Sequence, residues 1–332
     1  MWTSPGFNSV AQDLSVSSTA ALKREPIFFT PRLAQAGRPP RLAQPMTDSS
    51  KYLPKREIGC SEHGLRALSL RERFELLKNL GIEALELRLG KELSEDAAKL
   101  ANEEQLAALR SLRDQFKIST PFCSVECDLT SINSADSNQN LPQAIEHFRT
   151  AASIGARTIN LTVTQVPTIE VTESIWERFV ESLCQLGEEA SQLGLSIALK
   201  TNGHIEEETQ SGLFIVETLM TNRSTLTRLM PTLPSNVGFG YSPGMFKAVN
   251  PSDLRFGIDI IEERTETCFL QDWRQQNRSL TGAVIGADDL DYRSLLRRLP
   301  TNTPCLISLP SIKSAKVEIE TSMAYLNRIL AP

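Results

Sequence analysis

Long apolar runs, an excess of positive charge and a cysteine framework are all missing from this 332-residue chain. No stretch approaches the roughly 20 apolar residues of a membrane-spanning helix, so no transmembrane segment is expected. The formal net charge is −5. A general nucleic-acid surface needs clustered Lys and Arg to displace counterions, and this balance argues against one. The six cysteines (Cys60, Cys123, Cys127, Cys184, Cys268 and Cys305) are too scattered for a disulfide framework. Cys123 and Cys127 stand four apart, but no second Cys or His pair follows at zinc-finger spacing. The six read as reduced, mostly buried thiols of a cytoplasmic protein.

What is present divides into two texts. Residues 1–50 are rich in Ser, Ala and Pro and lack sustained periodicity, which reads as a disordered extension. Basic Lys23, Arg24, Arg32, Arg38 and Arg41 against acidic Asp13, Glu25 and Asp48 make a weak organelle transit peptide a second reading. A third takes Met46 as the true start, because organised sequence begins shortly after it.

From Arg56 onward short apolar runs alternate with amphipathic stretches. The pattern predicts strands over Glu57–Cys60, Ala84–Leu89, Ser119–Val125, Thr158–Val163, Ser196–Asn202, Val237–Ser242, Thr267–Gln271 and Cys305–Pro310. Apolar residues recurring at three or four predict helices over Leu70–Leu80, Glu104–Phe116, Leu141–Ile154, Ile175–Leu193 and Tyr292–Leu299. Gly81, Gly155 and Gly194 fall just past helix ends, where a left-handed cap favours glycine. Regular strand–helix alternation implies a parallel sheet. Eight units over residues 55–332 fit one closed (β/α)8 TIM barrel. An open doubly wound sheet is the alternative, but no G-x-G-x-x-G follows the first strand.

Strand parity gives the first hint of a site. Leu85, Leu87 and Leu89 alternate with Ala84, Glu86 and Arg88; Ile159, Leu161 and Val163 alternate with Thr158, Asn160 and Thr162; Ile197 and Leu199 alternate with Ser196, Ala198, Lys200 and Asn202. Successive side chains point to opposite faces of a strand. The outer face of a barrel must meet apolar helices, so the polar set points inward, and barrels keep their sites at the C-terminal strand ends.

Four segments together resemble the xylose-isomerase-like barrels, the superfamily of sugar isomerases and epimerases that includes the apurinic-site endonucleases. They are Leu80–Leu87 (LGIEALEL), Ile154–Ile159 (IGARTI), Leu195–Lys200 (LSIALK) and Gly286–Tyr292 (GADDLDY), the last followed by Leu295 and Leu296. Active members bind a divalent metal through a Glu, an Asp, a His and a second Glu at the ends of strands five to eight. The metal polarises the sugar's oxygens while carboxylates move the proton. Here the resemblance lays those positions on Lys200, Ser242, Phe269 and Pro310. An ammonium repels a cation, and neither Phe nor Pro supplies a side-chain ligand. The expectation is therefore no metal and no other cofactor at the family's position. A relocated metal site drawing on His63, Glu126, Asp128 or His204 is a lesser reading. The endonuclease branch carries a histidine-rich multi-zinc site, and this chain has three histidines, His63, His147 and His204.

The expected mouth comprises Glu86, Arg88, Asn160, Thr162, Lys200, Asn202, His204, Gln271 and Asp272. Lys200 carries three readings. Burial between Ala198 and Leu199 would favour the neutral amine, a nucleophile for carbonyls. With Arg88 it would instead hold a phosphate or carboxylate. In the third reading it pairs with Glu86 and fills the old metal site. His204, after Gly203, is an acid–base candidate or a loop histidine. Glu206–Glu208 reads as a solvated loop, with Glu206 also standing where some epimerases keep a substrate-binding Glu. Trp273 would stack on a sugar ring or cover the rim. A small carbohydrate or other anionic metabolite is the expected ligand, either turned over by a sugar isomerase or epimerase of shifted chemistry or bound without turnover.

Overall fold

The alternation of apolar and polar side chains in each predicted strand leaves one face for helices and one for the interior of a closed sheet. In the computed structural model, which describes residues 55–89, 103–130, 134–163, 166–208, 212–253, 255–276, 279–309 and 315–331, that is the outcome. Residues 1–50, with the alternative start at Met46, and Pro310 lie outside the described residues. The strands are β1 (Ile58–Ser61), β2 (Ala84–Leu89), β3 (Ser119–Glu126), β4 (Thr158–Thr162), β5 (Ser196–Lys200), β6 (His204–Glu208), β7 (Gly212–Val216), β8 (Val237–Tyr241), β9 (Thr265–Leu270), β10 (Asp272–Gln276), β11 (Ser279–Ala283) and β12 (Cys305–Ile307). Eight close a parallel barrel in the order β1-β12-β9-β8-β5-β4-β3-β2. β6–β7 and β10–β11 are separate antiparallel hairpins.

The helices are α1 (Leu70–Asn79), α2 (Glu103–Phe116), α3 (Ser134–Ser153), α4 (Glu173–Gln192), α5 (Arg223–Leu229), α6 (Pro243–Val249), α7 (Ile258–Ile261), α8 (Tyr292–Arg298) and α9 (Ala315–Leu330). α1 opens with a capping box: Ser69 Oγ accepts the Glu72 N–H (3.3 Å), and Glu72 Oε2 accepts the Ser69 N–H (2.7 Å). Gly81, Gly155 and Gly194 take the expected left-handed φ of +70°, +76° and +69° past α1, α3 and α4. α3 begins at Ser134 rather than at Leu141 and carries Pro142 inside it. No helix among the described residues is long and apolar enough to cross a membrane.

The parity expectation holds. Leu85, Leu87, Ile159, Leu161, Ile197, Leu199, Phe239 and Cys268 pack in one cluster with Phe74, Leu109, Phe148, Phe179 and Leu183 of the helices. A second, smaller cluster of Ala84, Phe122, Phe269 and Leu306 fills the barrel interior. All six thiols are free; Cys184 is half-buried and the rest are buried. Burial, with Asp128 adding to it, pushes the Cys127 thiol up to about 12, which leaves it unreactive at neutral pH.

The two hairpins correct the sequence reading. Glu206–Glu208, expected as a solvated loop, belongs to the strand His204–Glu208, and Asp272–Gln276, past the end expected for the seventh barrel strand at Gln271, is a strand as well. Each follows a barrel strand directly, β5 and β9, at the end where barrel sites lie. The Leu213 N–H donates to Ser279 Oγ (3.0 Å), which ties one hairpin to the other.

Candidate functional site

At the C-terminal mouth the inward faces of the strands and the inner faces of the hairpins enclose a cavity of about 550 Å³. That volume lies within the range of small-molecule sites. Of the residues expected there, Glu86, Arg88, Thr162, Lys200, Asn202, His204 and Gln271 line it, as do Phe269 and Trp273. His63 and Glu126 join them.

Lys200 closes β5, on the inward phase set by Ala198. Its ammonium sits 4.4 Å from the centre of the Phe269 ring. The ring's negative face attracts a cation there. Gly240 on β8 makes the arrangement possible: an added Cβ would lie 2.9 Å from the edge of the Phe269 ring. The expectation that Lys200 pairs with Glu86 is corrected. No ion pair joins them; Glu86 turns to an amide, and Lys200 to a ring.

Glu86, fully buried on β2, belongs to a directed chain across the barrel. The Thr267 hydroxyl donates to Asn160 Oδ1 (2.8 Å), and Asn160 Nδ2 donates to Glu86 Oε1 (2.7 Å). Each donor in the chain points towards the Glu86 carboxyl group. Oε2 is buried and has no hydrogen-bond partner among the described residues. Asn160 therefore reaches the site through Glu86 and not by lining the cavity itself.

Arg88, two residues on, is tied to acidic groups. Its backbone N–H donates to Glu62 Oε2 (2.7 Å), and its guanidinium pairs with Glu126. Glu62 is held on its other oxygen by Arg73, with both side chains nearly enclosed. Burial still raises the Glu62 carboxyl above its ordinary range, against the pull of Arg73 and the Arg88 N–H. His204 Nε2 stands 3.9 Å from Glu206 Oε1 on the same hairpin.

Two expected positions fall elsewhere. Asp272 is buried but does not line the cavity. Its Oδ2 accepts the N–H groups of Gly286 (2.8 Å) and Asp288 (3.0 Å), and its Oδ1 accepts the Tyr292 hydroxyl (2.6 Å). It faces away because Thr267, Phe269 and Gln271 hold the inward phase, and residue 272 takes the other. Burial raises its carboxyl above the ordinary range, against the lowering by Tyr292 and the two backbone N–H groups. Ser242 is also buried off the cavity wall, its N–H bonded to Thr201 Oγ1 (2.8 Å). Of the four residues weighed for a relocated metal, Asp128 turns to Thr130, whose N–H and hydroxyl donate to Oδ1 at 2.9 and 2.8 Å. Among the described residues no three His, Cys, Asp or Glu side chains gather as a metal-binding group.

Sequence reasoning missed Ser61, Ser124 and Ser308, all on the cavity wall. Parity applied to β1, β3 and β12 would have found them. Ile205, Leu213 and Leu280 were hidden by the unrecognised hairpins.

No protein-family model matches the chain, and no curated protein matches it in sequence. Solved structures do match it in fold. A zinc-bound IolI protein superposes with a TM-score of 0.66 at 16% identity, over 83% of this chain and 98% of that one. D-psicose 3-epimerase, crystallised with D-fructose, gives 0.63 at 10%, over 83% and 100%. The 3-keto-D-glucoside 4-epimerase YcjR from E. coli gives 0.63 at 12%, over 82% and 100%. The fold is thus a (β/α)8 TIM barrel, similar to solved structures that include xylose isomerase domain proteins. At these identities the likeness extends to the fold alone.

Of the four positions laid out by the resemblance, Lys200, Ser242 and Phe269 lie among the described residues. The Lys200 ammonium stands against the face of the Phe269 ring. Ser242 offers one hydroxyl, off the cavity wall.

Proposed function

We propose that the mouth binds a sugar, a sugar phosphate or a similar anionic metabolite, and acts on it as an isomerase or epimerase without a divalent metal. The carrying observation is the Lys200 ammonium seated on the Phe269 ring, and the resemblance lays two of the family's metal-ligand positions on these two residues. The cavity volume supports a small ligand. Its hydroxyl, amide and carboxylate lining suits hydroxyl-rich compounds, and Phe269 and Trp273 offer faces for the apolar side of a sugar ring. Lys200 and Arg88 add positive charge for a phosphate or carboxylate, although Arg88 already shares its guanidinium with Glu126.

The test joins elemental analysis of purified protein to thermal shifts with D-psicose, D-tagatose, D-fructose and their phosphates, each with and without EDTA and Mn²⁺. Sugar-dependent shifts indifferent to both additions are expected. Near-stoichiometric metal whose removal abolishes those shifts would overturn the metal-free reading.

A second reading, a Schiff base at Lys200, draws on one observation: among the described residues no carboxylate pairs with this amine. Borohydride in the presence of each sugar would trap a covalent adduct under this reading, and Lys200→Arg would abolish it. Sugar binding with no chemistry at all would instead mark a binding protein.

A further inference from the structure

Among the described residues three carboxylates are buried in and around the mouth, and two of them have every oxygen occupied. Glu62 spends one oxygen on Arg73 and the other on the Arg88 N–H. Asp272 spends its oxygens on two backbone N–H groups and the Tyr292 hydroxyl. Glu86 differs. Oε1 is held by Asn160, while Oε2 is buried without a partner on a residue of the cavity wall. Buried polar atoms are nearly always satisfied, and an unserved carboxylate oxygen on a residue of the cavity wall is open to a partner that arrives from outside the protein. The Thr267–Asn160 chain fixes the carboxylate through its other oxygen, Oε1, and donates only towards it.

We propose that Glu86 is the catalytic base of this site, taking a proton from the carbon next to the carbonyl of a bound hydroxy-ketone or hydroxy-aldehyde, while the Lys200 ammonium holds the oxygen that becomes negative. This rests on the metal-free reading above and assigns its chemistry. The step balances within the site. Oε2 forms a bond to the proton, the C–H electron pair becomes the C=C bond of an enediolate, and the carbonyl π pair moves to oxygen. There the Lys200 ammonium supplies the positive charge that a metal supplies elsewhere. Glu86 then returns the proton to the former carbonyl carbon, while the hydroxyl proton of the enediolate passes to the oxygen held by Lys200, which completes an aldose–ketose isomerisation. No outside oxidant or reductant takes part. The Lys200 ammonium stands over the Phe269 ring at the cavity wall, and among the described residues no carboxylate pairs with it.

The experiment is solvent exchange. Full-length protein in D₂O with EDTA is given D-psicose, D-tagatose or D-fructose, and loss of the proton α to the carbonyl is followed by NMR. Binding of the same sugar is followed separately by thermal shift. The wild type is expected to exchange that proton. Glu86→Gln should slow exchange by about 100-fold or more, the range of general-base catalysis, while still binding the sugar. Glu86→Asp, which keeps the charge but retracts it by one carbon, guards against a folding defect and should lie between the two. Lys200→Met should lower both exchange and binding. A sugar that binds without exchange, or exchange unchanged in Glu86→Gln, would overturn the role of Glu86 and leave the binding reading standing. Binding of none of the sugars would remove that reading, and the role of Glu86 with it.

Discussion

Glu86 and Asp272 are both wholly buried carboxylates near the C-terminal end of the same barrel. Asp272 is enclosed by donors that its own chain supplies: the turn after the second hairpin curls back so that Gly286 and Asp288 offer N–H groups, and Tyr292 offers its hydroxyl. Glu86 receives one amide hydrogen, and its remaining oxygen has none. Burial alone therefore does not distinguish a structural carboxylate from a chemical one; the separation lies in how many of its lone pairs the fold itself satisfies. A satisfied acid fastens segments together, whereas a half-satisfied acid on a cavity wall stores a deficit that a ligand can relieve.

The most severe test of this contrast is removal of the structural acid. Asp272→Ala leaves two partly buried N–H groups without their acceptor, at about 1–3 kcal/mol each in a buried setting, so a loss of about 2–3 kcal/mol is expected in urea unfolding. Asp272→Asn should be much milder. Its amide oxygen can serve both N–H groups, and its NH₂ can donate to the Tyr292 oxygen while that hydroxyl turns to the Gln271 carbonyl, already 2.8 Å away. The two variants should also part with pH. Burial raises the Asp272 carboxyl in the folded state, so folding favours its protonated form. The resulting stability is complete below the unfolded value near 3.9 and is lost as pH rises through the raised folded value. Asp272→Asn removes this contribution, so its unfolding free energy should fall less than that of the wild type over that interval. An identical slope would mean that Asp272 titrates at its ordinary value.

A smaller effect is expected where the mouth meets the barrel interior. In Gly240→Ala the new methyl would stand 2.9 Å from the Phe269 ring edge and 3.2 Å from Thr267 Oγ1. Overpacking of this kind costs about 1–3 kcal/mol. The informative result is the division between stability and site. Displacement of Phe269 should weaken sugar-induced thermal shifts beyond what the lower melting temperature of the free protein predicts. An unchanged shift would separate Phe269 from ligand binding.

How legible these features were follows from which signals are local. The eight barrel strands could be read because a buried parallel strand needs outward Leu, Ile and Val on every second residue, and Leu85, Leu87 and Leu89 or Ile159 and Leu161 supply them. The inward set could be read as its complement, and Glu86, Arg88, Thr162, Lys200 and Gln271 do line the cavity. Asp272 was misplaced although the same rule excludes it, since it stands out of phase with Gln271. The hairpins were hidden for a different reason. Antiparallel ribbons at a barrel mouth have little core to face, so Asp272–Gln276 carries no run of β-branched or aliphatic residues to announce a strand. The Glu86–Asn160–Thr267 chain joins residues 74 and 107 positions apart, and only closure of the barrel brings them together.

The smallest expected effect bears most directly on the contrast. In Glu86→Gln the amide oxygen can still accept from Asn160 Nδ2, so the link to Thr267 survives. What disappears is a negative charge enclosed in the barrel with one oxygen unserved. The replacement NH₂ is itself short of a partner, but a neutral amide costs less to bury than a carboxylate. These changes nearly cancel, so unfolding free energy should move by less than about 1 kcal/mol, with a slight gain the expected sign. Such indifference is what a group kept for chemistry should show, because binding and catalytic sites commonly retain arrangements that stability alone would remove. The measurement is the same urea series used for Asp272→Ala. If Glu86→Gln proves as damaging as Asp272→Ala, then Glu86 fastens the barrel as Asp272 fastens the turn, and the distinction drawn from its unpartnered oxygen fails.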